Sequence, residues 1–217
     1  MKKFLLLLII CLTATLVSCN KESTFVYNNY QDFATSYQGS LVADGGAILN
    51  VVENKTGTDA WKQEGGRFYI LCDILNRQME ITLKELITVR LVNPLPLDQL
   101  DKEFTDPIVV EDCGISGGHF NLFYTYYYNP ASNYAHSVHA WWDSTGSELN
   151  LYIYHDGNGE NPSAMNPDLL KEKEDVISVP LADILNNGEF NRLSITLYEL
   201  TSDKKEVKKN TYHLNGE

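Results

Sequence analysis

The spacing of hydrophobic positions changes along this 217-residue chain. Near the N-terminus they form one unbroken run, Phe4–Leu12, behind Lys2 and Lys3. Farther along, apolar residues alternate with polar ones or occupy short runs bounded by Gly, Asn, Asp or Pro. Alternation with a period of two is typical of β-strands, whereas the N-terminal run is too short to span a bilayer as a stable helix. The pattern predicts an export signal followed by β structure.

The residues behind the apolar run indicate how the N-terminus is processed. The segment Leu16-Val17-Ser18-Cys19 resembles the lipobox of bacterial lipoproteins, in which the cysteine is lipidated and becomes the mature N-terminus. We therefore expect residues 1–18 to be a signal peptide and Cys19 to carry acyl chains, palmitate among them, that anchor the protein to a membrane. The alternative is an ordinary signal peptide that is cut at another bond.

The next two regions differ in pattern. Residues 19–37 are polar with scattered aromatics and show no sustained periodicity, so we expect the lipidated cysteine to be followed by a tether. Residues 38–95 contain alternating segments, and in Arg67–Leu75 apolar side chains lie on both faces of the predicted strand. A strand covered on both faces is typical of a small closed barrel, which we predict for residues 38–95.

Prolines separate this barrel from a second region. Neither Pro94 nor Pro96 can donate a backbone hydrogen bond to a sheet, so we expect residues 96–105 to be a linker. Residues 106–217 then contain segments with strand patterns, at 107–112, 118–128, 134–143, 147–156, 175–180, 190–200 and 206–214. This spacing predicts an antiparallel β-sandwich, and the expected fold class is all-β.

One hairpin of the sandwich is predicted in more detail. If Thr145 and Gly146 form its tight loop, Trp142 pairs with Leu149 and apolar side chains share one face. On the other face lie the side chains that we call the aromatic platform: His139, Trp141, Tyr152 and Tyr154. If solvent reaches them, these rings are the best candidate for a surface that stacks on sugar rings or peptide side chains; if they are buried, that hypothesis fails.

Charge narrows the range of partners. The chain carries 17 Lys and Arg against 29 Asp and Glu, a formal net charge of −12 at pH 7. Removing residues 1–18 takes away two lysines and no acids, which leaves the mature chain at −14. A field of this sign repels phosphate backbones, and the basic cluster at Lys204–Lys209 is short, so we expect no nucleic-acid partner.

Two cysteines remain after the signal is removed and Cys19 is lipidated. Cys72 and Cys113 fall in different predicted domains, and Cys72 alternates with apolar neighbours. An exported protein can form a disulfide, but this placement favours two reduced thiols. Neither cysteine has a basic neighbour in sequence that would stabilise a thiolate, so neither is expected to be a nucleophile.

The order of signal, lipobox cysteine, tether, barrel and sandwich resembles the NigD-like lipoproteins of gut-type bacteria. Three segments carry the resemblance: Arg67–Leu75, Ser116–Leu122 and Leu151–Gly159. The resemblance implies an N-terminal OB-type barrel, a C-terminal β-sandwich and an anchor in the outer membrane, and it implies no catalytic residues. The acidic run usual behind the lipidated cysteine is short here, which leaves the periplasmic and surface-exposed faces of the membrane both open.

A metal site has weak candidates in His136, His155 and Asp156. The predicted register puts the two histidines opposite each other, but the spacing matches no tight metal-ligand motif, so we expect no metal ion. The segment Asp156–Glu160 alternates oxygen side chains as a calcium loop does, yet it lacks the rest of that motif and predicts a turn.

Motifs of catalysis are not evident in the sequence. We find no nucleophile elbow, no Cys/His pair and no phosphate-binding glycine loop, and we expect no cofactor. The sequence favours a non-catalytic binding or accessory module for a protein or glycan at the cell envelope. Two alternatives stay open: an envelope hydrolase whose active-site residues are dispersed, and a factor for bacteriocin production or immunity, which only the family name suggests.

Overall fold

The computed structural model describes residues 26–132, 135–160, 169–185, 190, 192–200 and 207–215. The expected signal peptide and Cys19 lie outside the described residues. Within the described residues the fold consists mainly of fourteen β-strands: β1 Tyr27–Tyr37, β2 Ser40–Ala43, β3 Ile48–Asn54, β4 Arg67–Ile74, β5 Glu80–Thr88, β6 Arg90–Leu91, β7 Leu95–Pro96, β8 Val109–Ser116, β9 His119–Tyr128, β10 Ser137–Thr145, β11 Glu148–Asp156, β12 Lys171–Pro180, β13 Arg192–Leu200 and β14 Val207–Asn215. The all-β prediction is confirmed.

The first five strands form a closed barrel. Their order is β1-β2-β3-β5-β4, and the pairing is antiparallel except between β3 and β5. This is the small Greek-key barrel of the OB type, with a short 3₁₀ helix at Ala60–Lys62 between β3 and β4. Inward residues such as Leu41, Leu49, Ile70 and Ile81 are fully buried and fill the barrel.

The expected tether is wrong in its second half, because Tyr27–Tyr37 is strand β1 of the barrel. Ala34 lies in the barrel interior, Phe33 on the opposite face packs against the sandwich, and most of Tyr27–Asp32 is exposed. Polar Ser36 is buried as well, so no apolar–polar alternation reveals this strand. The barrel begins at residue 27 and ends at Thr88, rather than spanning 38–95.

The remaining strands form a sandwich of two sheets. One sheet has the order β14-β13-β11-β10-β7 and the other the order β6-β12-β9-β8. Residues such as Phe120, Leu122, Leu151, Ile177 and Ile195 from both sheets fill the core between them. The predicted seven strands of the C-terminal region correspond to β8–β14.

The predicted linker boundary also needs correction. Leu95–Pro96 pairs in parallel with Trp141 and Trp142, and Arg90–Leu91 pairs in parallel with β12. The segment that follows the barrel therefore supplies an edge strand to each sheet of the sandwich. A second 3₁₀ turn, Leu97–Gln99, precedes the irregular residues 100–105.

The predicted hairpin has the right faces and the wrong register. Trp142 pairs with Leu151 and Thr145 with Glu148, so the loop is Gly146-Ser147 and each partner is shifted by two residues. A shift of two keeps every side chain on its face, because side chains alternate with a period of two. The platform residues therefore do share a face, as predicted.

Three smaller features complete the fold. A short helix, α1, spans Ala182–Leu185 after β12. Cys72 and Cys113 are both free thiols. Among the residues that the structure describes, no helix is long and apolar enough to cross a membrane.

Candidate functional site

The aromatic platform lies on the outer face of the five-stranded sheet. His139 pairs with Tyr154 and Trp141 pairs with Tyr152 across β10 and β11, so the four side chains are neighbours. Tyr154 also contacts Tyr198 of β13, with ring centroids 5.9 Å apart. The sheet therefore brings together the aromatic residues that the alternation predicted.

These rings are not an open surface, which corrects the expectation for Trp141 and Tyr154. Trp141 is 7% exposed and Tyr154 is 2% exposed. Phe104, from the segment behind the second 3₁₀ turn, stacks on His139 at 5.2 Å and on Trp141 at 6.3 Å between ring centroids. The chain itself occupies the position in which a sugar ring would stack.

An ion pair holds this covering segment beside Phe104. Glu103 accepts hydrogen bonds from Lys209 Nζ at 2.5 Å and from Tyr198 Oη at 2.8 Å. The bond from Lys209, followed by the bond from Tyr198, lowers the pKa of the Glu103 carboxyl. Tyr152 is partly exposed, and its hydroxyl lies 3.5 Å from Asp143 Oδ2. Solvent therefore reaches the aromatic platform only at its edge.

The two predicted histidines meet at one end of the sandwich, in what we call the histidine cluster: Ser132, His136, His155 and Glu160. His136 Nδ1 lies 3.1 Å from His155 Nε2, and His136 Nε2 lies 3.0 Å from Glu160 Oε2. Glu160 also accepts hydrogen bonds from the Ser132 hydroxyl and the Asn129 backbone N–H. The carboxylate thus ties the β9–β10 connection to the β11–β12 connection.

Two hydrogen bonds run in series through the cluster. His136 uses both ring nitrogens, Nε2 toward the Glu160 carboxylate and Nδ1 toward His155 Nε2, so its imidazole links the carboxylate to the second histidine. Nδ1 of His155 is buried and faces the backbone of Asp106 without a hydrogen bond of regular geometry.

Burial sets the ionisation of this cluster. Desolvation, and then the nearby His136, lower the pKa of His155 to about 4. For Glu160 burial alone would raise the pKa, but the hydrogen bonds from Ser132, Asn129 and His136 outweigh it and lower the pKa. Near neutral pH the cluster holds a neutral His155 beside an ionised Glu160.

Asp156 does not join the histidines, so the predicted set of three is wrong in its third member. Its carboxylate caps the backbone N–H of Asn158 at 2.7 Å, within the predicted turn Asp156–Glu160. Glu160, at the end of that turn, takes its place beside His136. Within the described ranges, no group of three or more His, Cys, Asp or Glu side chains is arranged to hold a metal ion.

A second buried polar cluster joins the barrel to the sandwich, and we call it the arginine network. It consists of Thr35, Asp44, Arg67, Ser116, Asn121 and Ser178. Arg67 pairs with Asp44 through two bonds of 2.9 and 2.7 Å, and the two side chains are 1% and 5% exposed. Such a bidentate pair is the strongest form of the contact.

Every guanidinium N–H of Arg67 has a partner. Besides the two bonds to Asp44, Arg67 donates to Thr35 in the barrel at 3.3 Å, and to Ser178 at 2.9 Å and Asn121 at 3.1 Å in the sandwich. Ser116 donates to Asp44 Oδ2 at 2.6 Å, and Asn121 donates to Ser116 at 2.8 Å. A buried charge is tolerated only when it is satisfied in this way, so the network fixes the two domains in one orientation.

An aromatic contact lies beside this network. Phe33 and Tyr69 of the barrel pack against Phe123 of the sandwich, with centroid distances of 5.4 and 5.0 Å. Arg67 lies over the Phe33 ring at 5.3 Å. The junction therefore combines apolar packing with directed hydrogen bonds.

A serine, a histidine and a glutamate meet on the outer sheet face, as a hydrolase would require, but their arrangement differs from a catalytic triad. Ser194 donates to Glu148, and His213 directs the same Nδ1 at Ser194, 2.8 Å away, and at Glu148, 3.7 Å away. A general base needs separate nitrogens for the nucleophile and the acid. Ser194 is also only 4% exposed, so a substrate would not reach it.

The two cysteines are poor nucleophiles. Burial raises the pKa of Cys72 to about 11, and burial followed by the charge of Asp112 raises the pKa of Cys113. A thiol is reactive only as a thiolate, so both remain protonated near neutral pH.

Four important residues were not found from the sequence. Arg67 and Asp44 lie 23 positions apart and Glu160 lies 24 positions from His136, so only the tertiary fold pairs them. Phe104 is an isolated aromatic residue between charged and polar neighbours. The one signal available was that an arginine stood within the alternating strand Arg67–Ile74, where a charge needs a buried partner.

The architecture defines a class of two-domain β proteins in which an OB-type barrel precedes a β-sandwich. No known family profile and no curated protein matches this sequence. Among solved structures, a NigD-like immunity protein from Bacteroides caccae is 17% identical with a TM-score of 0.61, and the match covers 88% of this chain and 99% of that one. The resemblance to a NigD-like protein is confirmed at the level of the fold.

Two further structures share the fold. A protein of unknown function from Bacteroides vulgatus is 15% identical with a TM-score of 0.67, over 89% of this chain and 92% of that one. A candidate lipoprotein from Bacteroides fragilis is 11% identical with a TM-score of 0.59, over 87% of this chain and 98% of that one. At such identities the likeness is one of fold.

Proposed function

We propose that this chain is a lipid-anchored protein of the bacterial cell envelope, in the outer membrane, that acts by binding a protein or glycan and catalyses no reaction. The arginine network carries the proposal. The buried guanidinium of Arg67, whose hydrogen bonds are all made, holds the two β domains in one orientation. A binding scaffold requires such a fixed orientation. The geometry of Ser194, His213 and Glu148 counts against the hydrolase alternative.

The anchor part of the proposal rests on the lipobox at Cys19 and on the likeness in fold to a candidate lipoprotein. Lipidation of one cysteine with several acyl chains gives stable attachment, whereas the rest of the mature chain is acidic and would be repelled by anionic lipids. Loss of the Cys19 thiol should therefore release the protein.

The test is cell fractionation of the full-length protein with an epitope tag. We expect the wild type to sediment with outer membranes and the Cys19→Ala variant to be soluble. Cys113→Ala is the matched control, because it removes another cysteine and should sediment like the wild type. A Cys19→Ala protein that stays on the membrane would overturn the anchor.

Protease treatment of intact cells then assigns the face. Degradation of the wild type places the binding domains outside the cell, and full protection with degradation after lysis places them in the periplasm. Either result directs the search for the partner. Turnover of a supplied envelope substrate by the purified protein, lost in Ser194→Ala, would refute the non-catalytic part.

A further inference from the structure

A crevice lies where the four-stranded sheet meets the barrel. Its walls are Phe33 of β1 and Phe123 of β9, and Asp112, Gly114 and Ser116 of β8 border it, with a cavity volume of about 130 Å³. Gly114 opens this space, because a Cβ at that position would meet nothing within 4 Å. A cavity of about 150 Å³ holds a benzene molecule, so the crevice suits one mid-sized apolar side chain.

The crevice borders a sheet edge. Strand β8 pairs with β9 on one side, and in the part of the chain that the structure describes no strand pairs with its other side. Just before β8, Ile108 is bridged to Glu199, which ties down the beginning of the strand. Half of the main-chain N–H and C=O groups of an edge strand point outward and can pair with an added strand.

The other sheet edges carry local protection. On β12 the segment Lys171–Asp175 consists of charged residues, and β14 carries Lys208 and Lys209 in its first half. On β10, Trp141 and Trp142 pair with the short strand β7. Charges and covering strands are the usual defences of an edge against pairing.

Strand β8 is protected only in its first half. A bulge at Glu111 interrupts the pairing with β9, and Glu111 and Asp112 add charge there. The second half, Cys113–Ser116, has no charge, proline or bulge, and Ile115 is 43% exposed. The unprotected half is the one beside the crevice.

We propose that the second half of β8 pairs with an extended peptide segment of a partner protein, which adds a strand to the sheet. This inference rests on the proposed binding function and commits it to a protein partner. Main-chain hydrogen bonds to β8 would hold the segment, and one of its aliphatic side chains would enter the crevice between Phe33 and Phe123.

The charge of Asp112 indicates which other residue the partner peptide should carry. Asp112 and Gly114 lie on the same face of β8, because they are two residues apart. The partner therefore needs a Lys or Arg two positions from its aliphatic residue, to face Asp112. Glu111 and Asp112, together with the net charge of −14 that follows from removing residues 1–18, disfavour a second copy of this protein as the occupant.

Two fluorescein-labelled hexapeptides test the proposal, Thr-Lys-Thr-Val-Thr-Thr and its reverse, which cover both strand directions. Fluorescence polarisation measures their binding to the full-length lipoprotein in detergent. We expect saturable binding of one peptide, and binding weakened roughly tenfold when its Lys is replaced by Glu. Circular dichroism checks that each protein variant is folded.

The variants distinguish the edge from the rest of the surface. Gly114→Leu should fill the crevice, and Ile115→Lys should place a charge on the edge; each should weaken binding roughly tenfold or more. Val52→Lys is the matched control, because Val52 of the barrel strand β3 is 56% exposed and no residue of β3 lines the crevice. It should bind like the wild type.

Four outcomes would overturn the inference: no binding at about 1 mM of either peptide, equal binding by all variants, a dimer that Ile115→Lys dissociates, or displacement of the peptide by cellohexaose. Absent binding, or equal binding by all variants, would show that β8 is not a peptide site. A dimer would show that a second copy occupies the edge, and displacement by cellohexaose would show that a glycan does. Fractionation of Cys19→Ala is read independently, so failure of peptide binding leaves the anchor proposal standing.

Discussion

The arginine network and the histidine cluster are both buried around a carboxylate, but they differ in how completely they are satisfied. Asp44 faces a guanidinium whose every N–H is paired. Glu160 faces an imidazole pair, and Nδ1 of its outer member, His155, lacks a regular hydrogen bond. Guanidinium keeps its charge at all pH values that proteins tolerate, whereas imidazole titrates near neutrality.

The two kinds of charge lie at different places in the fold. The permanent charge of Arg67 lies at the domain junction and links the barrel to the sandwich. The titratable histidine cluster joins two connections at one end of the sandwich.

Arg67→Ala should have the largest effect. Removing the guanidinium leaves Asp44 as an uncompensated buried charge, which costs about 4 kcal/mol of unfolding free energy. Urea unfolding measures the loss. Arg90→Ala is the control, because Arg90 pairs with Asp175 at 40% and 29% side-chain exposure and should cost less than about 1 kcal/mol. Equal losses would show that the network contributes no more than a surface pair.

Gly117→Ala should disturb the same network without removing a polar group. Gly117 has φ of 53° in the β8–β9 turn, and a Cβ there would overlap the Asp44 carboxylate. Left-handed strain and displacement of Asp44 together should cost about 3 kcal/mol. Gly118→Ala, with φ of 74° and open space around its Cβ, isolates the strain alone and should cost about 1 kcal/mol in the same urea experiment.

Acid should weaken the histidine cluster. In the folded state the pKa of His155 is about 4, below the ordinary 6.5, so the unfolded chain binds the proton first as pH falls. Stability is therefore unaffected above pH 6.5 and is lost progressively toward pH 4, by up to about 3 kcal/mol.

Urea unfolding from pH 7 to pH 4 measures this loss, and His155→Gln isolates it. The variant has no imidazole to protonate at this position, so its stability should fall less steeply over the same range. Parallel curves for the two proteins would assign the acid sensitivity to other groups.

Ser132→Ala should have the smallest effect. It removes one donor from the Glu160 carboxylate, which should cost about 1 kcal/mol and raise the pKa of Glu160. Because a lowered carboxyl pKa stabilises the fold above it, the variant should begin to lose stability at a higher pH than the wild type. An unchanged acid midpoint would show that the remaining bonds from Asn129 and His136 suffice.

Sequence alternation correctly predicted which side chains share a face of the sheet, but it did not predict which residues pack on that face. The shared face of His139, Trp141, Tyr152 and Tyr154 followed from a period of two, which a register error of two residues leaves intact. Exposure did not follow, because Phe104 comes from a segment outside any strand pattern. The sequence predicted which rings meet and not what covers them.

The polar clusters were beyond local patterns. Arg67 and Ser178 are hydrogen-bonded across 111 residues, and both belong to strands whose patterns predict only which side is buried. Strand β1 was missed because it buries small or polar residues, Ala34 and Ser36, while its apolar Phe33 packs on the opposite face against the sandwich. The histidine pair was found because both members fall in one predicted hairpin region, whereas Glu160 follows the turn.

The short strands Arg90–Leu91 and Leu95–Pro96 make the sandwich dependent on the chain that precedes it. Cutting the gene at the expected boundary near residue 96 or 106 would remove an edge strand from each sheet. During synthesis these strands also leave the ribosome before the strands with which they pair. A division of the chain that leaves every strand with its own domain must therefore fall between Thr88 and Arg90.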